Sequence, residues 1–200
     1  MRAIRLLAQA RVGSWVGLGA AAAAILGCFV LTRIGAGAAI LPRTGIADQL
    51  LLAAVVGNLV GSAWLAWCCV PASWPHEALA ARPLTGWRLG WALGCAALNC
   101  WPLALTGPLW TPDLGASLTL TGLGLTGASL LVSTLDARAL AAPQVCFALA
   151  SLMPGLLPRP WNLLLVSERS ASFLVAAGVV FLAGLAAHTV AGSRRVPDLA

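Results

Sequence analysis

The sequence contains no lysine, and only 9% of its 200 residues are charged. A soluble domain carries charge on roughly a quarter of its residues, so this scarcity indicates a membrane protein and excludes an ordinary soluble class. The net charge of +6 comes from twelve arginines. They stand singly at the ends of apolar segments and form no basic face with interleaved aromatics, so we do not expect the chain to bind nucleic acid.

Recognisable catalytic motifs are also lacking. There is no GxxxxGK(S/T) loop, so the chain cannot use ATP by itself. His76 and Glu77 are adjacent and lack the spacing of a metal-binding HExxH pair, and the signatures of intramembrane proteases are missing. The six cysteines form no CxxC or zinc-ligand spacing. We therefore expect this chain to be no enzyme and to hold no metal or cofactor.

Apolar residues are what the sequence has in abundance. They make up 60% of the chain and give it a mean hydropathy of +0.91. Runs of about 20 such residues are long enough to cross a hydrocarbon core of about 30 Å as helices. They predict an all-α membrane protein with a single transmembrane domain over residues 1–200. The six predicted transmembrane helices cover residues 12–32, 50–70, 89–109, 114–135, 139–157 and 171–190.

Prolines make two of these spans irregular. A kink is expected at Pro102 in the third span. Pro143 and Pro154 bracket the fifth span, so its helix is expected to be broken or only partly inserted. Residues 158–170 are predicted to form an outer loop with a short interfacial helix. The sequence leaves open whether residues 143–170 make a full span or a re-entrant outer hairpin before the sixth helix.

The arginines orient the spans, because loops on the cytoplasmic side of a membrane carry more of them. With the N-terminus inside, eight arginines are cytoplasmic and four are outside. Both termini are then cytoplasmic in a multi-pass protein of the cell membrane. The cytoplasmic set is Arg2, Arg5, Arg11, Arg82, Arg88, Arg138, Arg194 and Arg195, and the outer set is Arg33, Arg43, Arg159 and Arg169.

A polar stretch at residues 71–88 separates the second and third spans and contains its own helix signals. Ser73 can cap a short helix whose first turn contains Pro75, and Pro83 prevents its continuation. Tryptophans flank the stretch on both sides, as they do at a bilayer interface. We therefore expect a short helix on the cytoplasmic membrane face, accessible to a partner.

Two groups of residues inside the spans are candidates for function or packing. Four polar side chains lie within apolar runs, where they either line a pathway or tie helices together by hydrogen bonds. They are Asn58, Asn99, Gln144 and His188. Glycines four residues apart, and the Gly- and Thr-rich fourth span, predict close approach between helices. The glycine pairs are Gly57 with Gly61 and Gly90 with Gly94.

Six spans with cytoplasmic termini and a short cytoplasmic helix resemble the small permeases of the ABC-2 transporter class. In sequence, the likeness is carried by EALAARPLTGWR at residues 77–88, by PWN at residues 160–162 and by GSRR at residues 192–195. These stretches are similar to the coupling-helix region and the final span of actinobacterial permeases found with lantibiotic and antibiotic exporters.

The resemblance implies a transmembrane subunit without its own source of energy. A separate cytoplasmic ABC ATPase would bind the ATP, and the short helix would dock into it. The residues expected at this contact are Glu77, Leu79, Arg82 and Arg88. Leu79 would be the apolar anchor, while Glu77 and Arg82 set the orientation. A second permease subunit, identical or related, would complete the transport pathway. The substrate would be a peptide antibiotic, a drug or a lipid-like molecule. Membrane lipid is a further expected partner.

Two other functions remain open on the sequence. One is a membrane subunit that stabilises or regulates a complex without transporting a substrate. The other is a quinone-linked thiol oxidoreductase, suggested by Cys95 and Cys100, although both fall within the third span and not on an outer loop. A partner ATPase that responds to substrate would distinguish the transporter from the scaffold, and an active cysteine-free variant would exclude the redox function.

Overall fold

The structure is a computed structural model that describes residues 26–27, 30, 46–69, 85–104, 112–153, 155–162 and 170–192. Every regular element in these residues is a helix, which confirms the all-α class for this part of the chain. Residues 26, 27 and 30 are also helical, and the α-helices whose bounds the structure describes are α1, Ile46–Cys69; α2, Thr85–Leu98; α3, Pro112–Ser133; α4, Ala142–Leu152; and α5, Ala171–Ala191. Three 3-10 turns lie at Trp101–Ala104, Ala137–Ala139 and Arg159–Trp161.

Two of the described helices, α3 and α5, are long and apolar enough to cross a membrane. They have 22 and 21 residues, or about 33 and 32 Å of helix, close to the thickness of a hydrocarbon core. Each of the five predicted spans from residue 50 onward contains at least part of an α-helix. The first predicted span, apart from residues 26, 27 and 30, and the short helix predicted within 71–84 lie outside the described residues.

The third predicted span, residues 89–109, departs from expectation. The α-helix does not continue to a kink at Pro102 but ends at Leu98, and the backbone tightens into a 3-10 turn. The N–H of Asn99 already donates to the carbonyl of Ala96, three residues back, at 2.9 Å. Proline has no N–H to donate and disfavours a helical conformation in the preceding residue, so the α-helix stops ahead of it.

The fifth predicted span is short, as its two prolines predict. α4 has 11 residues, or about 16 Å, which is too short to cross a hydrocarbon core by itself. Pro143 lies in its first turn, where the missing N–H removes no helical hydrogen bond. The chain then turns at Gly155, whose φ of +78° favours glycine.

The helix termini collect at two ends of the bundle, and we call the first of them end A. The Trp91 indole donates to the Cys68 carbonyl at 3.0 Å, so the start of α2 lies beside the end of α1. Ala66 packs with Ala137 and Leu140, which brings the turn after α3 to the same place. The end of α1, the start of α2 and the end of α3 therefore lie at end A.

The end of α5 completes end A, since Gly192 lies against the Arg88 side chain at the start of α2. At the opposite end, end B, the ring of Trp161 packs edge-on against Phe173 with centroids 5.4 Å apart. The loop after α4 thereby covers the start of α5. The described loops thus alternate between the two ends, which is the order that consecutive antiparallel helices require.

Small residues let α3 approach α5 closely. Gly127 lies against the backbone of Phe181, and Gly184 lies against the carbonyl of Gly127, so neither position has room for a Cβ atom. A Cβ on Gly124 would lie 2.8 Å from that of Ala177. The close approach predicted for the Gly- and Thr-rich fourth span is confirmed, and it places α3 at the centre of the bundle.

Candidate functional site

The described part of the bundle has polar side chains inside and apolar side chains outside. Thirteen neutral or weakly basic polar side chains are buried, whereas none of the Asp, Glu and Arg side chains from residue 54 onward that the structure describes is. On the outside of α5, Val175, Val179 and Leu182 are each at least 60% exposed. Water imposes the opposite distribution on a soluble domain. The polar interior is therefore the candidate site.

Asn58 of α1 binds the backbone of α3. Its Nδ2 donates to the Leu118 carbonyl oxygen at 2.6 Å, and the residue is buried. The carboxamide lies directly against Gly122, where a Cβ would overlap with Oδ1. Among the described residues this Oδ1 has no hydrogen-bond partner. Asn58 therefore holds α1 on α3 through one bond and requires a glycine on the facing helix.

Asn99, in the turn after α2, binds a side chain of α3. Its Nδ2 donates to the hydroxyl of Thr126 at 2.5 Å, and Asn99 is fully buried. The Thr126 hydroxyl in turn donates to the Gly122 carbonyl at 2.8 Å, so this group both accepts and donates. Asn58 and Asn99 thus bind residues of α3 that are eight positions apart, Leu118 and Thr126.

Gln144 of α4 has the most partners of the three amides. Its Nε2 donates to the Ser129 hydroxyl at 2.7 Å, and that hydroxyl donates back to Oε1 at 3.0 Å. The same Nε2 lies 3.3 Å from the Ser62 hydroxyl and 3.3 Å from the Leu125 carbonyl oxygen. Gln144 therefore joins α4 to both α1 and α3 at one point.

These contacts define a polar stripe along α3. Its residues are Leu118, Gly122, Leu125, Thr126 and Ser129. Their spacing of three and four places them on one side of the helix. Amide and hydroxyl groups do not titrate near neutral pH, so the stripe can hold helices together or bind a polar ligand but cannot act as an acid or a base.

The three amides were predicted from the sequence, but their partners were not. Thr126, Ser129 and Ser62 supply the hydroxyl groups that the amides bind. The spacing of Gly122, Thr126 and Ser129 in the fourth predicted span is a signal that could have identified them. The amides make the interhelix bonds that one of the two interpretations expected, and a pathway role for them stays a prediction.

His188, the fourth predicted polar residue, lies nearer end A, in the last turn of α5. It is 1% exposed, and its backbone carbonyl accepts from the N–H of Gly192 at 2.9 Å. Its place near the end of the helix agrees with the sequence.

The two predicted glycine pairs have different positions. Gly57 and Gly61 are buried in α1. Gly90 and Gly94 are exposed, and a Cβ at either would meet nothing within 4 Å. The expected helix–helix contact at this second pair is therefore not formed within the described part of the chain. The reason is rotational, because α2 buries Ala92 and both glycines are two residues, about 200° of helix, from it.

The predicted docking residues are described only in part. Glu77, Leu79 and Arg82 lie outside the described residues. Arg88 is half-buried, and its guanidinium lies so close to Gly192 that a Cβ there would come within 2.9 Å of it. This places a positive charge at the C-terminal end of α5, where the helix dipole is negative. Arg88 therefore has a structural role inside this chain, and its role in docking stays a prediction.

Five of the six cysteines lie in the part of the chain that the structure describes. The five described ones are free thiols. Cys95 is buried beside Cys68 and Leu130 in an apolar cluster, and the Cys100 thiol donates to the Ala96 carbonyl at 3.7 Å. Among the residues that the structure covers, no group of His, Cys, Asp and Glu is placed to hold a metal ion.

The chain was compared with protein-family models, with characterised proteins and with solved structures. No match was found in any of the three comparisons.

Proposed function

We propose that this chain is a multi-pass permease subunit of an ABC-2-type transporter in the cell membrane. The observation that carries the membrane part of the proposal is the inverted polarity of the bundle. Hydrocarbon offers no hydrogen bonds, so a membrane helix turns Asn and Gln toward its neighbours and leaves Val and Leu outside. Asn58, Asn99 and Gln144 face inward here, while Val175 and Val179 face outward.

The ends of the bundle support the orientation that we propose. End A contains Arg88 and Arg138, and end B contains Arg159. If end A faces the cytoplasm, this arrangement follows the positive-inside rule. Both termini are then cytoplasmic, and so is the stretch between α1 and α2. That stretch would present Leu79, with Glu77 and Arg82, to a cytoplasmic ABC ATPase that binds and hydrolyses ATP.

The polar stripe supports a mechanical role for the described bundle. Side-chain hydrogen bonds connect α3 to α1, to α4 and to the turn after α2. Close backbone contact connects α3 to α5. A body held together in this way moves as a unit, so force applied by an ATPase at end A would reach end B. Peptide antibiotics, drugs or lipid-like molecules would then pass between this body and a second permease subunit.

The first test of the proposal is association with the ATPase. The chain would be co-expressed with a candidate ABC ATPase, captured by a tag and assayed for bound ATPase. We expect Leu79→Asp to lower recovery about tenfold, because loss of an apolar anchor costs on the order of 1–2 kcal/mol and a charge adds to it. Leu156→Asp is the matched control, since Leu156 is 58% exposed at end B. A Leu79→Asp variant that inserts normally and retains its ATPase would contradict the docking proposal.

A second function, a non-transporting scaffold subunit, is favoured by one observation. The three buried amides are engaged in holding helices together, which a scaffold needs as much as a permease does. ATP hydrolysis in the reconstituted complex distinguishes the two functions. If the chain is a permease, the rate of ATP hydrolysis depends on an added substrate through this chain. If it is a scaffold, its loss changes assembly of the complex, and the response of hydrolysis to substrate comes from another subunit.

The outward-facing glycines of α2 lead to a prediction about the second subunit. Gly86, Gly90 and Gly94 recur every four residues on one exposed side, the spacing of helices that pack closely in membranes. We expect Gly90→Leu with Gly94→Leu to abolish co-purification of two differently tagged copies. Gly178→Leu is the control. Gly178 of α5 also has open space where a Cβ would lie, but it has no glycine four residues before or after it. Undiminished co-purification of the double variant would mean that this side of α2 contacts lipid.

A further inference from the structure

A cavity of about 210 Å³ lies between α3, α4 and α5. Its inner wall is buried, since Leu125 and Phe173 are only 8% and 6% exposed. Its rim is open to the surroundings, since Val180 and Trp161 are 36% and 38% exposed. The cavity therefore extends from the outer surface of the bundle to the central helix.

The wall of the cavity is apolar. Thr121 is the only residue with a hydroxyl or amide side chain among those that line it, and its hydroxyl donates to the Ser117 carbonyl at 2.8 Å. A buried water molecule needs two to four polar partners, which this wall does not supply. The cavity is thus suited to a hydrocarbon group and not to water or a charged ligand.

Aromatic rings form the wall nearest end B. Phe147 of α4 and Phe173 of α5 stack with ring centroids 6.1 Å apart, and Trp161 packs edge-on against Phe173 at 5.4 Å. Flat rings held against each other make a rigid surface with few alternative rotamers. An apolar cavity of about 150 Å³ accommodates benzene, so a volume of about 210 Å³ is sufficient for several methylene groups of an extended chain.

We propose that this cavity binds an acyl chain of a membrane lipid. The inference rests on the proposed membrane location, because a hydrocarbon chain is then the group in contact with the rim. The rim and the surface beside it favour such an occupant, since Val180 and its neighbour Val179 of α5 are 36% and 60% exposed. An acyl chain would lie against these side chains and extend inward as far as Leu125.

The test uses a photoreactive lipid. The purified protein is reconstituted in phosphatidylcholine vesicles that contain a phosphatidylcholine with a diazirine midway along one acyl chain, and adducts are mapped by mass spectrometry after illumination. We expect adducts at Val179, which is exposed, and also at Leu125, which the probe reaches only through the cavity. Ala128→Phe should lower labelling of Leu125 about tenfold, because the added ring fills the space between the helices.

Two further variants keep the result interpretable. Ala176→Leu fills the same cavity from α5 and should act as Ala128→Phe does, should that variant fail to fold. Ala183→Phe, an exposed position of α5 outside the cavity, should leave labelling of Leu125 unchanged. Adducts at Val179 without adducts at Leu125 overturn the cavity proposal, and so does labelling of Leu125 that survives both filling variants. Absence of adducts at Val179 overturns the membrane location itself.

Discussion

Gly184→Leu is expected to prevent α3 and α5 from packing and to leave little folded protein. A Cβ at this position would overlap with the carbonyl oxygen of Gly127, which is a backbone atom and cannot rotate away as a side chain would. Inserting atoms into a packed interface commonly costs about 1–3 kcal/mol, and we expect about 3 kcal/mol or more here because backbone has to move. Monodisperse yield on size exclusion and the Tm in detergent would measure the effect.

The same helix provides the control for this prediction. Gly178 of α5 has nothing within 4 Å of the position that a Cβ would occupy, so Gly178→Leu should behave like the wild type. Gly127→Leu should reproduce the loss from the other side of the contact. The double variant should be hardly worse than either single one, because both remove one interface. A folded Gly184→Leu protein with an unchanged Tm would show that α3 and α5 are not packed in this way.

Gln144→Leu is expected to destabilise the bundle by about 2 kcal/mol. Leucine has a similar length but leaves the Ser129 hydroxyl and the Leu125 carbonyl without the amide that they bind. Leaving a buried polar group unpaired costs about 1–3 kcal/mol, and single interhelix hydrogen bonds in membranes contribute about 0.6–2 kcal/mol. The free energy of unfolding in mixed detergent micelles is the appropriate measurement.

A double-mutant cycle separates the hydrogen bond from packing. Ser129→Ala removes the hydroxyl that exchanges bonds with Gln144, so the combined variant should lose less than the sum of the two single losses. Val145→Ala, at the neighbouring exposed position, serves as a control that should change stability little. Additive losses in the cycle would mean that Gln144 and Ser129 do not bind each other.

Both predictions concern α3, which connects the bundle. On the side of the polar stripe, α3 forms hydrogen bonds with Asn58 of α1 and Gln144 of α4. On another side, Gly124 and Gly127 lie directly against α5 because they have no side chains. A helix tied on both sides in this way cannot rotate independently of its neighbours. If the chain is a transport subunit, the conformational change would therefore take place between this body and a second subunit.

Composition and local pattern were enough for several features. The apolar runs predicted the positions of α1, α3, α4 and α5, because the tendency of a segment to enter an apolar phase is close to a sum over its residues. Pro143 and Pro154 were enough to predict that the fifth span is irregular, since proline removes a backbone donor wherever it stands, and α4 has only 11 residues. The inward direction of Asn58, Asn99 and Gln144 followed from the cost of leaving an amide in hydrocarbon.

Only the tertiary structure decided which residues these amides bind and which glycines pack. Gly90 and Gly94 have the same spacing as buried Gly57 and Gly61, yet they face outward, whereas Gly184 contacts another backbone. The side of a helix that is buried depends on how the helix is rotated against its neighbours. That rotation is set by contacts between residues far apart in the chain, such as the contact of Ser62 with Gln144, which are 82 positions apart. A local motif contains no information about it, so spacing alone predicts a close contact without locating its partner.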